Sequence, residues 1–125
     1  DALRYVDGAE KISGKNYTII NAHDKIKDTI IGTVTSIISH SPLYPKGTVI
    51  VALAYNEDKI KVSARIAGKE SNGRNVREVL SRVVIPLGGE VGGHPNAAGC
   101  LISKDKENKF ISDLKSVLDV EVVRV

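Results

Sequence analysis

The sequence contains no methionine, tryptophan or glutamine, and only one cysteine and one phenylalanine in 125 residues. Each shortage excludes something. A single thiol, Cys100, rules out an intramolecular disulfide, and its setting in "AAGCLIS" predicts a buried, inert group rather than a nucleophile. No apolar run approaches the roughly 20 residues that cross a bilayer, and no signal peptide opens the chain. A cytoplasmic protein without a membrane partner is expected. The chain opens at Asp1 with no initiator methionine, which predicts a piece of a longer polypeptide. Missing glutamine and tryptophan beside abundant Ile, Val, Lys and Glu lean towards a thermophilic source.

What is present describes one folded domain. Hydrophobic residues make up 42% and charged residues 26%, the balance of an ordered chain long enough for one core. A net charge of +3 permits an anionic partner without demanding one. Residues 1–15 carry few apolar side chains and read as a lead-in from a preceding domain; residues 16–125 form the domain itself. There is no internal repeat or low-complexity tract.

Strand formers mark 16–22. Ile26, Ile30, Ile31, Val34, Ile37 and Ile38 share a helical face, with Asp24 or Asp28 available as N-cap. "TVIVALAYN" (48–56) predicts a strand buried on both faces, and a turn returns the chain into "KIKVSARIA" (59–67). Residues 75–84 form an amphipathic helix that Pro86 stops. A glycine-rich loop precedes a strand at "GCLIS". Phe110, Ile111, Leu114, Val117 and Leu118 line a last helix, and "VEVVRV" closes as a strand. The expectation is a single α/β domain, a mixed sheet of about five strands with helices packed on it.

Two stretches carry candidate chemistry. Alternation along a strand sends Ile60, Val62, Ala64 and Ile66 to one face and Lys59, Lys61, Ser63 and Arg65 to the other, about 6 to 7 Å apart. Such a row suits successive phosphates of an extended single strand, with Arg as a planar fork. Taken alone it reads first as a solvated strand face. The loop "GGEVGGHPNAAGC" (88–100) shifts that balance. Its five glycines permit positive φ and a nest of backbone N–H groups for an anion. His94 can donate to a phosphate oxygen, Pro95 stiffens the turn, and Asn96 bonds locally or to ligand. Arg74 and Asn75, at the start of the preceding helix, are within reach of the same anion or simply solvated. His23 reads as a capping or surface residue and His40 as a loop residue. The three histidines are too scattered for a metal site.

"GGHPNAAG" resembles the signature of the DHHA-type (DHH-associated) domain, the C-terminal half of the DHH phosphoesterases: RecJ-type exonucleases, oligoribonucleases and related phosphatases. "DTIIGTVTSII", "TVIVALAY" and "KVSAR" follow in the order and spacing of the RecJ branch, and "LGGEVGGHPNAAGC" is most similar to its archaeal RecJ-like group. The likeness runs from about residue 17 to 103. It implies that Ser63 and Arg65 hold substrate phosphates, that Gly92, Gly93 and His94 contact the phosphate near the scissile bond, and that Asn96 shapes the same pocket; Lys61 and Asn75 join them as candidates from the reading above. Glu90 and Val91 interrupt glycines that other branches run almost unbroken, which leaves Gly88 and Gly89 without an assigned role.

The family's catalytic half carries an Asp-His-His motif and manganese-binding aspartates, and nothing here matches them. The resemblance therefore implies a chain that binds single-stranded DNA or RNA but is inactive alone, with manganese and catalysis in the DHH domain of the same polypeptide. With few aromatic residues, backbone contacts should dominate over base stacking. Two alternatives stand beside this: the substrate domain of a small-nucleotide phosphatase, and a non-catalytic module that binds replication proteins. The alanyl-tRNA synthetase C-terminal domain, another relative, usually has arginine where His94 stands.

Overall fold

A computed structural model describes residues 2–68 and 73–123. After a short helix, α1 (Ala2–Asp7), β1 (Glu10–Gly14) turns into β2 (Tyr17–Asn21) as an antiparallel pair. Helix α2 (Asp28–Ser39) then carries the chain over to β3 (Val49–Asn56), which lies parallel to β2. A two-residue turn at Glu57 and Asp58, with Glu57 at φ 55°, leads into antiparallel β4 (Lys59–Ile66). Helix α3 (Val76–Val84) crosses to the far edge, where β5 (Val91–His94) and β6 (Ala97–Ser103) form a second hairpin and β6 pairs with β4. Helix α4 (Glu107–Val123) ends the described chain. The sheet order is β1-β2-β3-β4-β6-β5.

The buried run of β3 fixes the layering. Val49, Val51 and Leu53 face α3 and α4, together with Ile19, Ile60, Val62, Ala64, Ile66, Ala98, Cys100 and Ile102. Ile50, Ala52 and Ala54 face α2 with Ile20, Ile31, Val34 and Ile38. Helices on both faces of one mixed sheet make the expected α/β domain. On the first face α4 buries Phe110, Leu114 and Leu118 at four-residue spacing, and Tyr17 Oη donates to Asp119 Oδ1 at 2.7 Å.

Three expectations differ in detail. The sheet has six strands rather than about five. Two strands are additional, β1 from the residues assigned to the lead-in, where a single apolar side chain, Ile12, left no alternation to read, and β5 from the glycine-rich loop, while the expected C-terminal strand is absent from the described sheet. Val6 and Ala9, also in that stretch, are buried in the α2-side core. "VEVVRV" is not a strand where it is described: α4 continues through Val123, and 124–125 lie outside the described residues. Once nucleated, a helix extends at small cost per residue, and no Gly or Pro follows Leu118 to stop it. The N-cap of α2 is Lys27, without a side-chain bond; Asp28 is the first helical residue and Asp24 lies upstream. Ile26 precedes the helix but is still buried, whereas Ile30 and Ile37 face solvent.

Candidate phosphate-binding groove

The strand register places the candidate residues relative to one another. Directly paired residues project from the same face of a sheet. Arg65 pairs with Ala97, which pairs with His94. One step along, Ser63 pairs with Gly99 and Gly99 with Gly92. Lys61 stands opposite Leu101 in a third row. Three sequence segments thus contribute to one patch, with the Arg65 and His94 backbones two strand spacings, about 10 Å, apart. Between them lie only alanine and glycine, so the floor of the patch is main chain. Helix α2 covers this face over β3 and β4; no described helix packs over it at β5 and β6.

The flank of α2 completes the groove. Asp28, Thr29, Gly32, Thr33, Ser36 and Ile37 line an open depression with Lys61 and Arg65. A second depression, lined by Ser39, His40, Ile66, Gly68, Asn96 and Ala97, also opens onto Arg65. Gly32 sits over Ser63: a methyl group there would lie 3.9 Å from Ser63 Oγ. The five ion pairs among the described residues involve neither Lys61 nor Arg65. Among the described residues neither cation has an ion-pair partner, and Asp28 contributes one negative charge to the same wall.

The glycine-rich segment is a β-hairpin rather than an open loop, and this changes the part played by its residues. Gly92, Gly93 and His94 belong to β5. Successive N–H groups on a strand point in opposite directions, so no nest forms there. Gly92 is exposed on the groove side. Gly93 pairs with Ala98 and faces the opposite side; it holds φ 120°, and a Cβ would collide with the Ala97 carbonyl oxygen. It is therefore required by backbone packing. Gly88 and Gly89 have a definite role: their N–H groups bond to Ile85 O and Val84 O and close the end of α3 and the short 3-10 turn after it.

The two-residue turn at Pro95 and Asn96 is pinned on both sides. Val76 N–H donates to Pro95 O at 2.8 Å, Ile66 N–H to Asn96 O at 3.4 Å, and Arg77 Nη1 to Gly93 O at 3.2 Å. His94 and Asn96 are thereby held against α3 and the end of β4.

Other candidates lie elsewhere. Asn75 Oδ1 accepts the Glu78 N–H at 3.0 Å and caps α3, on the opposite face from Arg65. Arg74 is buried, its Nη1 donating to Asn16 O at 2.9 Å. Both are structural. Lys59 occupies the same strand face as Lys61 but lines a separate hollow with Gly88, Gly89, Ser103 and Lys106. His23, at φ 50°, meets Tyr55 edge-on and lies 3.7 Å from Glu10 and 4.0 Å from Glu107. Glu107 also accepts from Tyr55 Oη, a bond that together with burial pushes the phenol up to about 12. Cys100 is buried on the closed face, where desolvation pushes its thiol up to about 12, as its inert setting suggested. Sequence reasoning missed His40 and the α2 flank. Their signal was Thr29, Thr33, Ser36 and His40, spaced four, three and four apart as a polar helical stripe.

Among the described residues no helix is long and apolar enough to cross a membrane. No curated protein matches the chain. Among solved structures, the C-Ala domain of alanyl-tRNA synthetase from Aquifex aeolicus is similar with a TM-score of 0.69 at 19% identity, over 87% of this chain and 97% of that one. A DHH-domain structure described as a member of a family of ribosomal proteins gives 0.60 at 19%, and a pGpG-specific phosphodiesterase from Vibrio cholerae gives 0.57 at 10%. Each of these two is matched over 94% of this chain, which spans only 29% and 38% of their respective lengths. At such identities the likeness is one of fold. The sequence model of the DHHA1 domain matches residues 14–119, nearly the whole sheet and all the groove residues, and the chain belongs to the DHHA1 domain family.

Proposed function

We propose that this domain binds the phosphodiester backbone of single-stranded nucleic acid, as the substrate-binding part of a RecJ-like DHH phosphoesterase of the archaeal type. The observation that supports this most directly is the row Arg65–Ala97–His94 beside the Gly99–Gly92 floor, on a sheet face left open next to α2, with Ser63 buried at its inner edge beneath Gly32. A glycine and alanine floor lets a backbone lie close to the sheet. Arg65 forks onto a phosphate, Lys61 adds charge along the same strand, and His94 reaches the phosphate from the β5 side. Among the described aromatic residues Phe110 and Tyr17 are buried in the closed face and Tyr44 and Tyr55 pack against the two cores, so contacts to the backbone outweigh stacking and binding is salt-sensitive.

Hydrolysis belongs, in this reading, to the catalytic DHH domain of the same polypeptide and its manganese. Among the described residues no three His, Cys, Asp or Glu side chains converge to hold a metal ion, and no step on this chain is routed through one. Replication proteins are further partners of such an enzyme.

The test is fluorescence anisotropy of labelled oligonucleotides of about 2 to 20 nucleotides at low and moderate salt. Binding should strengthen with length and weaken with salt, and Arg65→Ala should cost about 10- to 100-fold, the worth of a charge-assisted contact. His94→Ala should cost less, since its side chain is exposed. Tight mononucleotide binding that gains nothing from length would instead assign the domain to a small-nucleotide phosphatase. Binding indifferent to both substitutions would remove the groove from consideration.

A further inference from the structure

We propose that His40 is an additional phosphate-binding residue of this groove, working through Nε2 beside Arg65 and Asn96. The proposal rests on the groove reading above and extends it to a residue on α2. His40 is the C-cap of that helix, exposed, and lines the same depression as Arg65, Ile66, Gly68, Asn96 and Ala97.

Its ring is already oriented. Nδ1 lies 2.8 Å from the Ser36 carbonyl oxygen, which can only accept, so Nδ1 carries a hydrogen. Ser39 Oγ, at 3.3 Å from Nδ1, donates its own hydrogen to Ser36 O at 2.7 Å and so acts as an acceptor towards the ring. Both contacts fix the same tautomer. The opposite nitrogen, Nε2, is a lone-pair acceptor in the neutral ring and becomes an N–H donor, with a full positive charge, on protonation.

A helix C-terminus would ordinarily repel an anion with its unpaired carbonyls. Here they are occupied. Ser36 O accepts from His40 and Ser39, Ile37 O from the His40 N–H, Ile38 O from the N–H and hydroxyl of Ser41, and Ser39 O from the Gly68 N–H. The described groups facing the ring are Arg65 from β4, the uncharged Gly68, Asn96 and Ala97, and Ser36 and Ser39 on its own helix. The Lys46 stem packs against Gly68. Arg65 is thus the charged group that shares this depression with His40 among the described residues, and an anion brought between the two is what would let both carry charge together. His40 on α2 lines the Arg65 depression, whereas His94 stands two strands away from Arg65 on β5.

The experiment is oligonucleotide anisotropy at constant ionic strength from about pH 5.5 to 8, spanning histidine titration, for wild type, His40→Gln, His94→Gln and Arg65→Ala. Wild-type affinity should rise about 3- to 10-fold as pH falls. His40→Gln should flatten most of that rise, while His94→Gln keeps the His40 share. Nitrogen NMR of the imidazoles guards against a misfolded variant: on addition of oligonucleotide to wild type, the His40 Nε2 signal should move and Nδ1 should keep its hydrogen bond. If Arg65→Ala weakens binding but His40→Gln retains the wild-type pH profile, or Nε2 does not respond, the His40 assignment falls and the groove stands. If wild type binds no oligonucleotide at any pH, both fall together.

Discussion

Strand β4 meets two different surroundings. Towards α3 and α4 it presents Ile60, Val62, Ala64 and Ile66, each no more than 4% exposed and sealed beneath two helices. Towards α2 it presents Lys61, Ser63 and Arg65, with Ser63 covered by Gly32 and the two cations half-exposed. One strand, at a period of two, serves as core on one side and as the wall of a groove on the other. Stability is concentrated where the helices close over the sheet. The candidate chemistry sits where a single helix stops short of the edge, over backbone made bare by Ala97, Gly99 and Gly92.

The sharpest break in that division comes from the closed face. Phe110 is fully buried between α4 and the sheet. Phe110→Ala should destabilise the domain by about 3–5 kcal/mol, from lost burial plus the cavity left behind. Thermal unfolding should show a drop of roughly 10 °C or more. The fraction still folded should bind oligonucleotide as wild type does. A matching loss of affinity in that folded fraction would mean that the two faces are not independent.

Legibility in the sequence followed the same division. The closed face was readable because its signals are periodic: the run of β3, the alternation of β4, and Phe110, Leu114 and Leu118 on α4. β1 was not, since an edge strand with one partly buried apolar residue leaves little pattern. In the groove, Ser63, Arg65, Gly92 and His94 could be named, but their assembly depends on the register between β4, β6 and β5, which is long-range information. Asn75 and Gly93 show how residue type alone misleads: the first is consumed by a helix cap and the second by a backbone clash. His40 was passed over because a histidine beside Pro42 reads as loop, whereas it ends a helix whose polar stripe lines the groove.

A gentler substitution separates stability from binding on the groove side. Gly32 lies in the interior of α2, where alanine is preferred by about 1 kcal/mol, and the added methyl would meet Ser63 Oγ at an ordinary 3.9 Å. Gly32→Ala should therefore raise the melting temperature by about 4 °C. It should also weaken oligonucleotide binding several-fold, because the methyl narrows the approach to Ser63. A stabilised variant with unchanged affinity would show that ligand does not reach Ser63, and would shift the contact surface towards Arg65 and His94.

The smallest effect expected is also the most specific to a phosphate chain. Each phosphate neutralised on a single strand contributes about −0.7 to the slope of log affinity against log salt. Lys61 and Arg65, two residues either side of Ser63, stand roughly 13 Å apart along β4, far enough to contact separate phosphates. Lys61→Ala should reduce the slope by about 0.7 while lowering affinity only a few-fold at moderate salt, since Asp28 on the neighbouring helix already offsets part of the lysine's charge. Arg65 would continue to hold its phosphate. If the slope is unchanged while affinity falls, Lys61 acts by shaping the groove, and the chain of phosphates does not extend along β4 past Arg65.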